Sequence, residues 1–327
     1  MARGLAALTG ATGFLGRRVA RELARQGWRV RVLSRRDPVH SDWQDFEPEV
    51  VVGHLSDTAA LAALTRGADV VIHAAGLVKA RRLDDFRRVN AEGAQKVAEA
   101  AGDAHLLLVS SLAAREPQLS PYAASKRAGE DAARAAAGGR LTVVRPPAIY
   151  GPGDREILPL FRAAARTPIL PVFADHARTA LIHLEDAARQ VAALADRAPQ
   201  GATYALSDSR PEGYGWAEIM RAAAEAMGGR PRLVRTPGAV VRGLAAASVL
   251  RRLAGEAPIF TPGKARELLH PDWSVAPHER AAGLPQPEFD LSTGLAHTAQ
   301  WYRAAGWLPR DFVTATLQTV ENPQLHD

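Results

Sequence analysis

The hydrophobic positions of this chain alternate between short apolar runs and longer stretches in which apolar residues recur every three or four positions. Short apolar runs are typical of strands buried on both faces of a parallel sheet, and the longer stretches are typical of surface helices. The predicted strands are Gly4–Thr9, Arg29–Leu33, Val50–Gly53, Val70–Ala74, His105–Ser110 and Leu141–Arg145. This alternation predicts an α/β fold built on a doubly wound parallel sheet.

The pattern loosens near residues 151–154, where proline and glycine become frequent. We therefore predict that residues 1–153 form the sheet domain and that residues 177–207 return to it. Residues 154–176 and 208–327 are predicted to form a smaller α/β lobe that holds the substrate. No internal repeat or low-complexity segment interrupts this pattern.

A glycine-rich segment, Gly10-Ala11-Thr12-Gly13-Phe14-Leu15-Gly16, follows the first predicted strand and leads into an amphipathic helix. Glycines in this context permit a tight turn, close approach of the backbone to a pyrophosphate, and close helix–strand packing. A purely structural turn is the alternative, because tight turns use glycine for conformational reasons. Since no Gly-Lys-Ser/Thr follows, a phosphate loop for ATP is disfavoured. The segment predicts dinucleotide binding by Gly10, Thr12, Gly13, Phe14, Leu15 and Gly16.

Tyr122 and Lys126 lie four residues apart in a predicted helix, which places both side chains on one face. The chain has only four lysines, so a lysine at this spacing stands out. An ammonium near a phenol can lower its pKa and make tyrosine an acid or base near neutral pH. An exposed helical pair without chemistry is the alternative.

The composition narrows the function classes. The chain has 327 residues, of which 47% are hydrophobic and 23% charged, and it has no cysteine. Disulfides and cysteine metal sites are therefore excluded. The ten histidines show no paired-ligand spacing such as His-Glu-x-x-His, so no metal site is predicted.

A net charge of +6 and a pI near 10.0 favour acidic partners, such as a phosphorylated cofactor or an anionic membrane surface. Nucleic-acid binding is disfavoured, because the arginines are scattered without an aromatic-basic motif. No membrane span or signal peptide is visible. We therefore expect a cytoplasmic protein. Peripheral contact of this protein with the inner face of the membrane is compatible with that expectation.

Several motifs in order resemble those of the extended short-chain dehydrogenases/reductases, the group known as the NAD-dependent epimerase/dehydratase family. They cover about residues 3–200 and are highly specific in combination. The motifs are Thr9–Gly16, His73–Gly76, Val89–Gly93, Leu107–Ser111, Tyr122 with Lys126, Arg145–Pro152 and Leu181–Asp186. The resemblance implies a Rossmann fold and a nicotinamide cofactor.

The resemblance also implies roles for individual residues. Tyr122 would exchange a proton with the substrate oxygen, Lys126 would hold the nicotinamide ribose, and Ser111 would hydrogen-bond the same oxygen. Ser110 is the neighbouring candidate for the serine, and Asn90 would support the helix or a proton-relay water. Further cofactor contacts would come from His54, Leu55, Ala74, Ala75, Gly76, Pro146, Ala148 and Ile149. His54 departs from the family, which often has an aspartate against the adenine.

The end of the second strand bears on the choice between NAD and NADP. An NAD site uses a carboxylate on the ribose hydroxyls, and the family places it 24 residues after the first glycine, at Ser34. This chain has Ser34-Arg35-Arg36 there. Guanidinium groups bind a 2′-phosphate with charge-assisted hydrogen bonds, whereas a carboxylate would repel it. We predict NADP as the cofactor, with NAD and two ordinary surface arginines as the alternative.

The substrate is predicted less directly. The segment Phe173–Leu181 has an alanine where nucleotide-sugar enzymes of the family commonly have an aromatic residue. The pattern of residues 238–252 predicts an apolar helix with basic edges. Such a helix would cover an apolar substrate or lie on an anionic bilayer; an ordinary packed helix of the smaller lobe is the alternative. Thr261–Lys264 and His270–Trp273 add a resemblance to bacterial ketone reductases of sphingolipid synthesis.

Three functions follow from these expectations. The first is an NADPH-dependent reductase of a lipid-like ketone, such as the 3-oxo group of an oxidised ceramide or of 3-ketosphinganine. The second is a nucleotide-sugar epimerase or dehydratase. The third is a non-catalytic assembly protein on the same fold, which the intact Ser111, Tyr122 and Lys126 disfavour. The oligomeric state is left open.

Overall fold

The computed structural model describes residues 3–36, 43–80, 82–174, 176–253 and 260–309. Within these ranges the strands are β1 (Leu5–Thr9), β2 (Arg29–Ser34), β3 (Glu49–Val52), β4 (Val70–His73), β5 (His105–Val109), β6 (Leu141–Arg145), β7 (Ala148–Tyr150), β8 (Ile169–Val172), β9 (Arg178–Thr179), β10 (Leu181–His183), β11 (Thr203–Ala205), β12 (Arg232–Arg235) and β13 (Asp272–Trp273). The α-helices are α1 (Gly16–Arg25), α2 (Thr58–Thr65), α3 (Leu83–Phe86), α4 (Gly93–Ala100), α5 (Pro121–Ala137), α6 (Leu158–Arg166), α7 (Leu184–Ala195), α8 (Trp216–Ala226), α9 (Gly238–Leu253), α10 (Pro262–Leu269) and α11 (Leu291–Ala304).

Seven strands form one parallel sheet in the order β11-β6-β5-β4-β1-β2-β3. The six strands predicted from the hydrophobic pattern are all present, with ends shifted by a residue or so. The chain runs outward from β1 through β2 and β3, and then crosses back to β4 on the other side of β1. This reversal leaves a crevice at the carboxyl ends of β1 and β4, where ligands of doubly wound sheets bind.

Helices cover both faces of the sheet, as the doubly wound prediction requires. On one face, α1 and α7 bury Val19, Leu23 and Val191 against β1, β2 and β4. On the other face, α2, α4 and α5 bury residues such as Leu64 and Val97. Successive residues of β1 belong to opposite cores, because side chains of a strand point alternately to the two faces. The prediction of a Rossmann-type fold is confirmed.

Most of the remaining described elements form smaller clusters outside the seven-stranded sheet. Helices α6, α8 and α11 share a core that includes Phe161, Met220 and Tyr302. Helices α9 and α10 share a second cluster around Val241 and Ala265. Strand β11 pairs with β6 of the main sheet. The division into a sheet domain and a smaller lobe, with its bounds, stays a prediction. Of the helices the structure describes, none has the length and apolar character needed to cross a bilayer.

A buried carboxylate fixes helix α5 to the ends of two strands. Glu130, which has no exposed surface, accepts hydrogen bonds from Ser110 Oγ at 2.5 Å and from Arg145 Nε at 2.8 Å. Arg145 Nη2 donates to its second oxygen at 2.5 Å, and this pairing raises the pKa of Arg145. Ser110 follows β5 and Arg145 ends β6, so the network holds α5 over the carboxyl edge of the sheet.

Replacing Glu130 with alanine should lower the free energy of unfolding by about 3–5 kcal/mol, because Arg145 would lose its buried partner. Asp131→Ala is the matched control, since that side chain is 63% exposed and pairs only loosely with Arg134. The control should change stability by less than about 0.5 kcal/mol. Urea unfolding of both variants measures the difference. Equal losses in the two would contradict the anchoring role of Glu130.

Candidate active site

The glycine-rich segment turns tightly between β1 and α1. Gly10 has φ +75°, and a Cβ on it would lie 2.5 Å from the Ala75 nitrogen. A Cβ on Gly16, the first residue of α1, would lie 2.1 Å from the Gly10 carbonyl oxygen. Neither position has room for a side chain, so these glycines are required by the packing of the loop itself.

The outer side of this loop is open. Thr12 and Gly13 are exposed, Phe14 is half-buried, and Leu15 is buried. Leu15 precedes α1 without a side-chain hydrogen bond to the first-turn amides, so these amides are not capped by a side chain. A bare loop at a helix N-terminus fits the pyrophosphate of a dinucleotide.

Two neighbouring strands bring further predicted cofactor residues to the same edge. Thr9 pairs with His73, which places Ala74, Ala75 and Gly76 directly beside the glycine loop. Gly76 is exposed, and a Cβ on it would lie 3.4 Å from Lys126 Nζ. The loop after β4 therefore lies between the glycine-rich segment on one side and Lys126 of α5 on the other.

The end of β2 lies on the other side of β1. The Ser34 carbonyl accepts from the Gly53 amide at 2.9 Å, while Arg35 and Arg36 are exposed. After β3, the exposed His54 ring lies 2.9 Å from Ser56 Oγ. Leu55 is half-buried and packs towards Gly93 of α4. These residues surround the far end of the crevice, away from Tyr122.

Tyr122 lies in the first turn of α5, and the sequence explains why the helix begins there. The Ser120 side chain accepts a hydrogen bond from the Ala123 amide at 3.0 Å, and Pro121 occupies the first helical position. Ser111 lies just after β5 and begins a short helical turn, in which its hydroxyl oxygen accepts a hydrogen bond from the Ala113 amide at 3.2 Å. Its hydroxyl lies close enough to the Tyr122 phenol to act on the pKa of that group. The three predicted catalytic residues are thus together, with Lys126 one turn along the helix.

The electrostatics differ from the sequence expectation in one respect. Burial raises the pKa of Tyr122 to about 12, the Ser111 hydroxyl opposes the rise, and the Glu267 carboxylate adds to it. The expected lowering by Lys126 is wrong for this geometry, because the ammonium is turned to the Val109 carbonyl at 2.8 Å. Burial lowers the pKa of Lys126 to about 8, partly offset by Glu130. The phenol is therefore fully protonated at neutral pH and is poised as a proton donor.

The structure distinguishes between the two candidate serines. Ser110 is buried and its hydroxyl donates to Glu130, so it belongs to the network that anchors α5. Ser111 faces the tyrosine instead. Asn90 is also buried, donating to the Leu77 carbonyl and to Ser125 Oγ, both at 2.9 Å. It lies in a π-helical turn, Arg87–Glu92, a form frequent at functional sites.

The remaining predicted cofactor contacts come after β6. Pro146, between β6 and β7, is buried and its carbonyl accepts from the Leu112 amide at 2.8 Å; in β7, Ala148 is exposed and Ile149 is half-buried. His183, in the paired strand β10, stacks on Phe289 with ring centroids 3.8 Å apart. Burial lowers the pKa of His183 to about 3, so the ring is neutral at neutral pH.

One functional neighbour was missed by sequence reasoning. Glu267 of α10 accepts a hydrogen bond from Ser120, the residue that caps the Tyr122 helix. Arg266 donates to the Leu119 carbonyl at 2.7 Å, and a Cβ on Gly263 would lie 2.9 Å from Ser120 Cβ. No local sequence pattern marks this contact, because it joins residues about 147 positions apart. Among the described residues, no group of three histidine or acidic side chains is arranged to hold a metal ion.

A sequence model of the NAD dependent epimerase/dehydratase family matches residues 6–207, which include the glycine loop, Ser111, Tyr122 and Lys126. The chain belongs to this family. It is therefore a nucleotide-dependent enzyme of the short-chain dehydrogenase/reductase type, as the sequence motifs predicted.

Two relatives extend the comparison. The chain is 55% identical over 316 residues to a "Ceramide reductase" of Caulobacter vibrioides (strain NA1000 / CB15N), covering 95% of this chain and 98% of the relative. It is 31% identical over 227 residues to "4-hydroxy-2-methyl-3-oxo-4-farnesyl-3,4-dihydroquinoline-1-oxide ketoreductase" of Stigmatella aurantiaca, covering 62% of this chain and 68% of that one.

Solved structures share the fold. The crystal structure of gox2253 superposes with a TM-score of 0.74 at 22% identity, covering 93% of this chain and 99% of the other. The structure of MoeE5 in complex with UDP-glucose and NAD gives 0.67 at 23% identity, covering 92% and 99%. At these identities the likeness concerns the fold alone.

Lys126→Met provides a test of the electrostatics at this site. The pKa of Lys126 falls from about 10.5 in the unfolded chain to about 8 when folded, so the unfolded state binds more protons between these values. The stability of the wild type relative to the methionine variant should therefore rise as pH increases from about 8 to about 10.5. Urea unfolding at both ends of this range measures the change. Lys96→Met, at an exposed site of α4, should show no such trend. A flat difference for Lys126 would contradict the burial of its charge.

Proposed function

We propose that the protein is an NADPH-dependent oxidoreductase that reduces a ketone on a bulky, lipid-like substrate. The candidate substrates are the 3-oxo group of an oxidised ceramide and that of 3-ketosphinganine. The observation that carries the proposal is the 55% identity to a ceramide reductase over nearly the whole of both chains. The grouping of Ser111, Tyr122 and Lys126 at the crevice supports it, because a non-catalytic assembly protein would not need these three side chains.

The chain's own groups suit reduction. A nicotinamide cofactor, when bound, supplies the hydride. Tyr122 donates its phenolic proton to the ketone oxygen, and its raised pKa keeps that proton in place at neutral pH. Ser111 hydrogen-bonds the same oxygen and fixes its position. Lys126 donates from its ammonium to the ribose hydroxyls. Its position supports this role, because Nζ lies beside Gly76 in the loop that follows β4.

The residues present fit a dinucleotide. Gly10 and Gly16 let the glycine-rich segment pack closely on its neighbours, and Thr12 and Gly13 are exposed to solvent. The backbone at Thr12 and Gly13 is therefore accessible to a pyrophosphate. At the far end, the exposed Arg35 and Arg36 follow Ser34, where an NAD site would have a carboxylate. The two guanidinium groups support NADP as the cofactor, and NAD is the alternative.

A nucleotide-sugar epimerase or dehydratase is the second candidate function. The shared fold with a protein solved with UDP-glucose and NAD is the observation that favours it. Against it, the segment Phe173–Leu181 has an alanine where such enzymes commonly carry an aromatic residue. An alanine cannot stack on a nucleotide base. We therefore keep the reductase as the conclusion.

The proposed location is the cytoplasm, where NADPH is available, with peripheral contact at the inner face of the membrane. A lipid ketone is held in a bilayer by its chains, so an enzyme that reduces it must meet the bilayer surface. The net positive charge of the chain supports such contact with anionic lipid.

Tyr122→Phe tests the acid role. The variant should fold and bind cofactor normally but turn over about 10²–10⁴-fold more slowly, the usual loss for a missing acid or base. Steady-state kinetics with a lipid ketone, alongside calorimetric cofactor binding, measure both properties. Turnover at the wild-type rate would remove Tyr122 from the mechanism.

Arg35→Ala tests cofactor selection. The loss of one charge-assisted contact should weaken NADPH binding by up to about 3 kcal/mol and leave NADH binding nearly unchanged. Arg29→Ala is the matched control, because Arg29 is exposed at the opposite end of β2 and should affect neither cofactor. Titration calorimetry of wild type that shows tighter NADH than NADPH binding would reverse the assignment.

The substrate class is tested with 3-oxo sphingoid lipids of increasing chain length beside a panel of UDP- and GDP-sugars. Each methylene buried in an apolar groove contributes about 0.8 kcal/mol, so kcat/KM should rise about fourfold per methylene until the groove is filled. The sugars should not react. Turnover confined to the sugars would replace the reductase with the epimerase alternative.

A further inference from the structure

One stretch of the chain is basic without any compensating acidic residue. Residues 226–255 contain six arginines and no aspartate or glutamate. The stretch therefore carries a local charge of +6. Its described arginines, Arg230, Arg232, Arg235 and Arg242, are exposed.

Helix α9 within this segment carries exposed as well as buried apolar residues. Val241 and Ala245 are buried against α10. In the adjacent stripe of the helix, Val240 is 49% exposed and Leu244 is 63% exposed. These two residues lie one turn apart, so they form a stripe on the solvent side of the helix. A surface helix ordinarily places polar residues on that side.

The strand pair that leads into α9 has the same character. Parallel pairing of β8 with β12 places Ile169 beside Arg232 and Pro171 beside Val234. All four are exposed, while Leu170 between them is buried. The chain passes from β12 into α9 through only Thr236 and Pro237, so these apolar and basic residues lie in one region of the fold.

We propose that this region docks on an anionic lipid bilayer. The docking face consists of Ile169, Arg232, Val234, Val240 and Leu244. Apolar side chains would enter the interface between headgroups and acyl chains, and Arg232 would pair with lipid phosphates. A second copy of the chain fits less well, because a symmetric contact would bring the two clusters of arginines together.

The docking face lies one helix away from the candidate active site. Its helix α9 packs on α10, and Glu267 of α10 hydrogen-bonds Ser120 at the start of the Tyr122 helix. Docking would therefore bring the substrate lobe, and the tyrosine beside it, to the bilayer that stores a lipid ketone. This connection to catalysis rests on the proposed function, whereas the docking itself does not.

Vesicle flotation tests the docking without any turnover. Wild-type protein should float with vesicles of phosphatidylcholine and phosphatidylglycerol, much less with phosphatidylcholine alone, and less as salt is raised. Leu244→Ser should weaken partition into the anionic vesicles about tenfold through lost apolar burial. Arg232→Gln should weaken it about fivefold.

Matched controls separate this surface from general effects. Leu83→Ser removes an equally exposed leucine, at 60%, and Arg25→Gln removes an exposed arginine of α1; neither should change partition. Unchanged unfolding midpoints verify that the variants fold. Absence of binding to anionic vesicles, or equal losses in Leu244→Ser and Leu83→Ser, would overturn the proposal. Sedimentation showing that Leu244→Ser separates a dimer, with vesicle binding unchanged, would assign the face to a second copy instead. Because no ketone or cofactor is present, these outcomes are independent of the proposed reaction.

Discussion

The buried carboxylate of Glu130 is the constraint on which the candidate active site depends. It ties α5 to the ends of β5 and β6 through Ser110 and Arg145. At the end of β5, the Val109 carbonyl accepts a hydrogen bond from the Lys126 ammonium, and Ser111 begins the next turn. The anchor therefore sets the distance between the tyrosine helix and the crevice at the switch in strand order. A charge with no exposed surface is costly unless it is fully paired, and here both oxygens are bonded.

Burial also determines the chemistry of the two central groups. It holds Tyr122 in the protonated form and lowers the proton affinity of Lys126, so both shifts disfavour charge at the site. A protonated phenol with Ser111 beside it can give a proton to a developing alkoxide. The Glu267 carboxylate of α10 adds to the rise of the Tyr122 pKa, so a helix distant in sequence reinforces the protonated form.

The sequence predicted those features that depend on local pattern. Strands β1 to β6 follow from apolar runs, and the glycine loop follows from its place between a strand and a helix. The choice of Ser111 over Ser110 needed the family resemblance, and the structure supplies its physical reason in the bond from Ser110 to Glu130. The direction of the Tyr122 pKa shift could not be predicted, because it depends on burial by distant segments. Glu267 was missed for the same reason.

The central claim is that a hydride moves to a lipid ketone while the chain supplies the proton. It is tested most directly by a reaction of the purified enzyme with NADPH carrying deuterium at the transferable position of its nicotinamide. With a long-chain 3-oxo sphingoid lipid, mass spectrometry should find deuterium on the new alcohol carbon and oxidised cofactor released in equal amount. Deuterium that remains with the enzyme-bound cofactor, while a nucleotide sugar is isomerised and the lipid is unchanged, would contradict the account.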